Sequence, residues 1–82
     1  MFFVYIIKSF EGGRYYVGSC DNVEKRVEQH NKGRVRSTKA FVPWELLYTE
    51  KFKSRSESRN RERQLKSWKS REALERLMRK RF

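Results

Sequence analysis

The sequence predicts an α/β fold: a small three-stranded, mainly antiparallel sheet flanked by helices, in the order ββαβαα. Three observations predict it. Residues 2–8, FFVYIIK, form a β-branched and aromatic run. A Gly12-Gly13 turn separates that run from a second one, YYVGSC. Ser54 and Ser70 then stand before charged stretches whose apolar residues recur at helical spacing.

In chain order, the 2–8 run suits a strand covered on both faces. SFEGGR is a hairpin turn, and YYVGSC returns as the second strand. Asp21 stands at an N-cap with Glu24 three residues later as in a capping box, so a helix is expected from about Asn22 to Asn31, ending near Gly33. RVRSTKAFVPW has no periodicity and reads as a loop, in which Pro43 bars a helix. ELLYTEKF, residues 45–52, is the third strand. Ser54 with Glu57 makes a second capping box that opens a helix from about Arg55 to Trp68. Ser70 caps the last helix, REALERLMRKR, with Leu74, Leu77 and Met78 as its packing stripe. Trp44 and Trp68 are expected to pack rather than to stack on bases. No repeat or linker divides the 82 residues, so one domain over 1–82 is expected.

The net charge is +11 and unevenly spread. Residues 1–50 hold 8 Lys/Arg against 6 Asp/Glu, and residues 51–82 hold 13 against 4. A field this lopsided points to a polyanionic partner. Cys20 is the one cysteine, which rules out an internal disulfide and suits a reducing compartment. MFFVYIIK has no basic leader or small-residue cleavage site and is too short to span a bilayer. A cytoplasmic protein without a membrane partner is expected.

On the first helix Val23, Arg26, Val27 and His30 share one narrow sector. The valines need the sheet, so Arg26 and His30 leave the same face. Strand alternation sets Tyr16 and Gly18 opposite Tyr15 and Val17, and lets Tyr5 lie beside Tyr16. Two phenols, a guanidinium and an imidazole can thus share one shallow surface. Gly18 is expected to let a backbone or a phosphate approach closely.

This pattern resembles the GIY-YIG nuclease family, in the manner of its small stand-alone bacterial members. FVY at 3–5 stands for the GIY element and YVG at 16–18 for YIG. NVEKRVEQHN is similar to the following helix with its Arg26 and His30. SRSESRNRERQLK is similar to the later helix that supplies the metal-binding carboxylate, here Glu62. The motifs are weak singly and specific in this order. Phe3 replaces the first Gly, Ser19 stands where some relatives have Lys, and Leu74 stands where several family enzymes carry an Asn.

The resemblance implies a metal-dependent endonuclease that hydrolyses DNA, non-specifically or by structure, in repair, recombination or defence. It implies Tyr5, Tyr16, Arg26, His30 and Glu62 as catalytic residues. Arg26 would hold the scissile phosphate and, as a cation, favour a phenolate base. Glu62 would bind one Mg²⁺ or Mn²⁺, since a single carboxylate is too few for two metals. Leu65 shares the face of Glu62, which turns the carboxylate toward the body, and Arg59 and Lys66 flank it at helical spacing. Lys53, Arg55, Arg59, Arg63, Lys66, Lys69 and Arg71 would grip the backbone of duplex or branched DNA, with a separate targeting protein as a further expected partner. The alternative is a nucleic-acid-binding module that keeps the fold but cleaves slowly or not at all, which Leu74 favours.

Overall fold

A computed structural model of the chain describes residues 1–80, so the last residue of the helix expected to run to Arg81 lies outside the described residues. Strand β1 spans Phe2–Ser9, β2 Tyr15–Cys20 and β3 Trp44–Phe52; helices α1, α2 and α3 span Val23–Asn31, Arg55–Ser67 and Arg71–Arg79. The sheet order is β2-β1-β3, with both neighbours antiparallel to β1. The expected ββαβαα order therefore stands.

The continuous apolar run of β1 follows from this order. As the central strand it has neighbours on both edges and helices over both faces, so Val4, Tyr5, Ile6 and Ile7 are all buried. Period-two alternation then splits the core. Val4 and Ile6 join Val17, Tyr48, Leu65 and Leu74 on the side of α2 and α3. Tyr5 and Ile7 join Trp44 on the side of α1, backed by Val23 and Val27. Each buried aliphatic side chain contributes roughly 1.5–3 kcal/mol.

The helix termini follow the capping residues, with one correction. Asn22, not Asp21, caps α1: its backbone is extended and its side chain accepts from the Lys25 N–H at 3.0 Å. A cap needs its side-chain oxygen over the amide three residues on, and here that residue is Lys25, so Asn22 caps the helix without the capping box expected from Asp21 and Glu24. Ser54 and Ser70 cap α2 and α3 by accepting from Glu57 and Ala73. The expected loop between α1 and β3 contains a 3-10 turn, Lys39–Phe41. A bulge between Ile6 and Ile7 shifts the β1–β3 register and leaves Leu46 and Leu47 both exposed.

Helix α2 is fixed across the sheet by neighbouring side chains. Arg61 donates twice to Glu50 of β3, at 2.8 and 3.0 Å. Leu65, 2% exposed, enters the core, and the next residue after Arg61 is turned toward β2.

Candidate active site

Strand β2 lies at an edge of the sheet, and the residues of interest gather on its two faces. On the α1 face, Tyr5 pairs with Gly18 across the ladder and Ile7 with Tyr16. This diagonal brings the Tyr5 and Tyr16 ring centres to 6.4 Å. His30 is fully enclosed, with its ring 5.7 Å from Tyr5 and 5.1 Å from Tyr16. One imidazole nitrogen, Nε2, hydrogen-bonds the Tyr5 hydroxyl at 2.8 Å. The other, Nδ1, hydrogen-bonds Thr38 Oγ1 at 2.8 Å. Arg26 is half-buried and donates to Gln29 at 3.0 Å.

The electrostatics of this pair run against the expectation that Arg26 would favour a phenolate. Burial pushes the Tyr5 phenol well above its usual range, and the hydrogen bond and charge of Arg26 oppose that only in part. Burial also lowers His30 to about 4, reinforced by the nearby Arg26 charge. Both groups are therefore neutral at pH 7. The surface is not shallow either, since Tyr5 is 1% and His30 0% exposed.

Gly18 plays a different part from the one expected. A Cβ there would collide with the Tyr5 hydroxyl and ring, so the missing side chain makes room for the phenol rather than for a phosphate.

On the opposite face, Ser19 donates to Glu62 Oε1 at 2.5 Å and Lys66 to Oε2 at 2.8 Å. Burial works upward on the Glu62 carboxyl, but Lys66, Ser19 and the charge of Arg59 together hold it below the usual carboxylate range. Leu65 does turn Glu62 inward, leaving its side chain 22% exposed. The two faces meet at the strand edge, where Lys66 Nζ lies 5.4 Å from the centre of the Tyr16 ring.

The family model of the GIY-YIG catalytic domain matches residues 1–76. This chain belongs to that nuclease family. Its GIY-YIG domain is 39% identical over 67 residues to a UPF0213 protein of Staphylococcus aureus strain Mu50, covering 80% of each chain. The match to the corresponding protein of strain N315 is the same. A UPF0213 protein of Bacillus halodurans, solved by NMR in solution, is 30% identical with a TM-score of 0.58, over 94% of this chain and 82% of that one.

Among the described residues, no group of three or more His, Cys, Asp or Glu could hold a metal ion in this GIY-YIG domain. The fit of one hard cation rests on Glu62 and Ser19 alone. Their oxygens suit an ion that keeps several waters, and the Lys66 ammonium already sits on Oε2 as a resident cation. Any divalent ion taken up there would have to compete with Lys66 for that oxygen.

The basic residues divide into free and engaged. Lys53, Arg55, Arg59, Arg63 and Lys69 are exposed on or beside α2, Arg55 with its guanidinium 4.9 Å from the centre of the Phe2 ring. Lys66 is held on Glu62, and Arg71 lies 5.1 Å from the Tyr15 ring centre and 3.6 Å from Glu75. Two cavities flank the edge of β2. One of about 320 Å³ is lined by Ser19, Lys25, Arg26 and Arg55, and one of about 380 Å³ by Tyr16, Lys66, Lys69 and Arg71. Leu74 is 8% exposed within the core.

Thr38 touches His30 and Ser19 touches Glu62; the motifs do not name Thr38 and name Ser19 only as a departure from the family's Lys. Thr38 lies in a stretch without periodicity, and its contact to His30 is set by the loop's path alone. Ser19 had a local signal, because alternation along YYVGSC puts it on the face of Val17, toward α2.

Proposed function

We propose that this GIY-YIG domain is a DNA endonuclease that hydrolyses phosphodiester bonds with one divalent ion. The observation that carries the reading is the meeting of two half-sites at the edge of β2. A neutral tyrosine–histidine pair with Arg26 lies on one face, and a low-pKa carboxylate with a hydroxyl on the other.

Arg26 offers a forked donor to the scissile phosphate, and the cations of α2 hold the flanking backbone. Tyr16, half-buried between His30 and Lys66, is the phenol nearer the open edge and contacts the phosphoryl group. Tyr5 and His30 form the proton-transfer pair that accepts the proton of the attacking water. Glu62 and Ser19 would hold Mg²⁺ or Mn²⁺, which when bound supplies charge stabilisation on phosphoryl oxygens. With no further reading element named by the sequence, recognition by structure or backbone is favoured over a defined sequence.

A second reading, a binding module without cleavage, is favoured by one observation. Leu74 is part of the core and offers no polar group to the site. Cleavage of labelled duplex, single-stranded, flap and four-way-junction DNA separates the two, with Mg²⁺, Mn²⁺ or EDTA and with Glu62→Gln and Tyr16→Phe. Metal-dependent products lost in both variants support the nuclease. Tight binding with no product under any metal supports the module.

A further inference from the structure

We propose that Thr38 is the positioning residue of the Tyr5–His30 pair: its hydroxyl fixes His30 as the Nδ1–H tautomer and leaves Nε2 as the acceptor of the Tyr5 proton. Its consequence for cleavage rests on the nuclease reading, whereas the tautomer itself does not.

The assignment follows from counting protons in a sealed row. Tyr5, His30 and Thr38 are each at most 1% exposed, so the bonds they make are to one another, to backbone and, at Tyr5, to Arg26. Thr38 Oγ1 lies 3.3 Å from the Val35 carbonyl, which can only accept. That carbonyl also accepts from the N–H groups of Thr38 and Lys39 at 3.0 Å, so it shares its lone pairs three ways; with the hydroxyl proton placed there, the same oxygen accepts toward His30. Nδ1 then carries the hydrogen of a neutral imidazole, and Nε2 is bare. The Tyr5 hydroxyl donates to it at 2.8 Å. Every bond points one way, from Tyr5 through His30 and Thr38 to the carbonyl of Val35.

The reverse wiring fails on chemistry. With Nε2–H facing Tyr5, the phenol proton would need another acceptor. Arg26, which bonds the phenol, has donors only, and neither Tyr16 nor Cys20, the other polar groups acting on it, hydrogen-bonds it among the described residues. Burial and Arg26 keep the imidazole neutral, which preserves a lone pair on Nε2. Thr38 is itself held from two sides. Its N–H donates to Val35 at 3.0 Å, and its carbonyl accepts from Trp44 Nε1 at 3.0 Å. Trp44 therefore does more than pack: it fixes the loop that carries the hydroxyl.

In the working site the attacking water gives its proton to the Tyr5 oxygen as the Tyr5 O–H bond breaks and an Nε2–H bond forms. The products are a hydroxide-like nucleophile, a Tyr5 that is again a neutral phenol, and an imidazolium whose Nδ1–H remains on Thr38. No other group gains or loses a proton in that step. Thr38 decides its direction without touching substrate.

His30 is the only histidine in the chain, so ¹⁵N-histidine labelling gives one imidazole. Two-bond proton–nitrogen correlation at neutral pH is expected to show the Nδ1–H tautomer in the native protein and in Thr38→Ser. Thr38→Val is expected to lose it. On a cleaved DNA, kcat falls roughly 10–100-fold in Thr38→Val with KM unchanged, and Thr38→Ser stays near native. An Nε2–H tautomer in the native protein overturns the proposal, and so does Nδ1–H persisting in Thr38→Val. Should Thr38→Val not fold, loss of the tautomer in Thr38→Ser overturns it equally. Absence of cleavage by the native protein counts against the nuclease reading and leaves the tautomer result standing.

Discussion

The hydroxyl of Tyr5 occupies the space where a side chain at position 18 would begin, across the β1–β2 ladder. The glycine of YVG and the tyrosine of FVY are therefore one packing unit. Gly18→Ala is expected to destabilise the fold by about 1–3 kcal/mol through overpacking. Tyr5→Leu removes the hydroxyl and the ring carbons that crowd that space, so the double variant costs less than the two single changes added together. Urea unfolding of all four proteins measures the coupling, and strict additivity would show that position 18 does not crowd the phenol.

Stability falls on mild acidification because of His30. Its folded pKa of about 4 lies below the unfolded value of ~6.5, so between those values the unfolded chain binds a proton that the folded one refuses. The contribution is fully present above pH ~6.5 and is lost as pH falls toward 4, amounting to roughly 3 kcal/mol. Glu62 and Glu75, both held below the usual carboxylate range, add their losses only below about pH 4.3, so the upper part of the window reports His30 alone. Urea midpoints at pH 7, 6 and 5 should decline in the native protein and flatten in His30→Gln.

A divalent ion held by Glu62, as proposed, would compete with Lys66 for Oε2. Lys66→Met removes the resident ammonium at 2.8 Å and should tighten Mn²⁺ binding severalfold. Paramagnetic relaxation of water titrated with protein reads this directly, without substrate. Glu62→Gln should abolish the specific binding in either background. Unchanged affinity in Lys66→Met would mean that the ion does not use that oxygen.

On the proposed reading the exposed cations of α2 would act through phosphates. Replacing Arg59 or Arg63 with Gln should weaken DNA binding about equally for every sequence. Each loss should lower the slope of log affinity against log salt by about one. Fluorescence anisotropy between 50 and 200 mM salt, as an ordinary working range, tests this. A sequence-dependent loss with unchanged slope would place these residues on bases instead.

Much of the fold was legible because its signals are local. The strand run 2–8, the Gly12-Gly13 turn and the serine caps of α2 and α3 are each fixed by residues within one turn or hairpin of one another. The cap of α1 was read one residue early, because Asp21 and Asn22 are both competent caps and only the backbone path decides which oxygen meets Lys25. Tyr5, Tyr16, Arg26 and His30 were placed on one face by periods of 2 and 3.6, which survive folding unchanged. What those periods do not carry is depth. Alternation says which way a ring points, not whether a 3-10 turn 8 residues beyond His30 will close over it.

The sequence alone thus determined the order of elements, the face on which the tyrosines, Arg26 and His30 meet, and the concentration of positive charge near the C-terminus. Only the tertiary structure decided that Tyr5 and His30 are sealed and neutral, that Gly18 shelters a phenol, and that Glu62 is shared by Ser19 and Lys66. The division has a physical cause. Secondary structure and facing are set by neighbours along the chain, whereas pKa, burial and hydrogen-bond direction depend on groups far apart in sequence, such as Ser19 and Glu62, and on the low-dielectric interior they enclose.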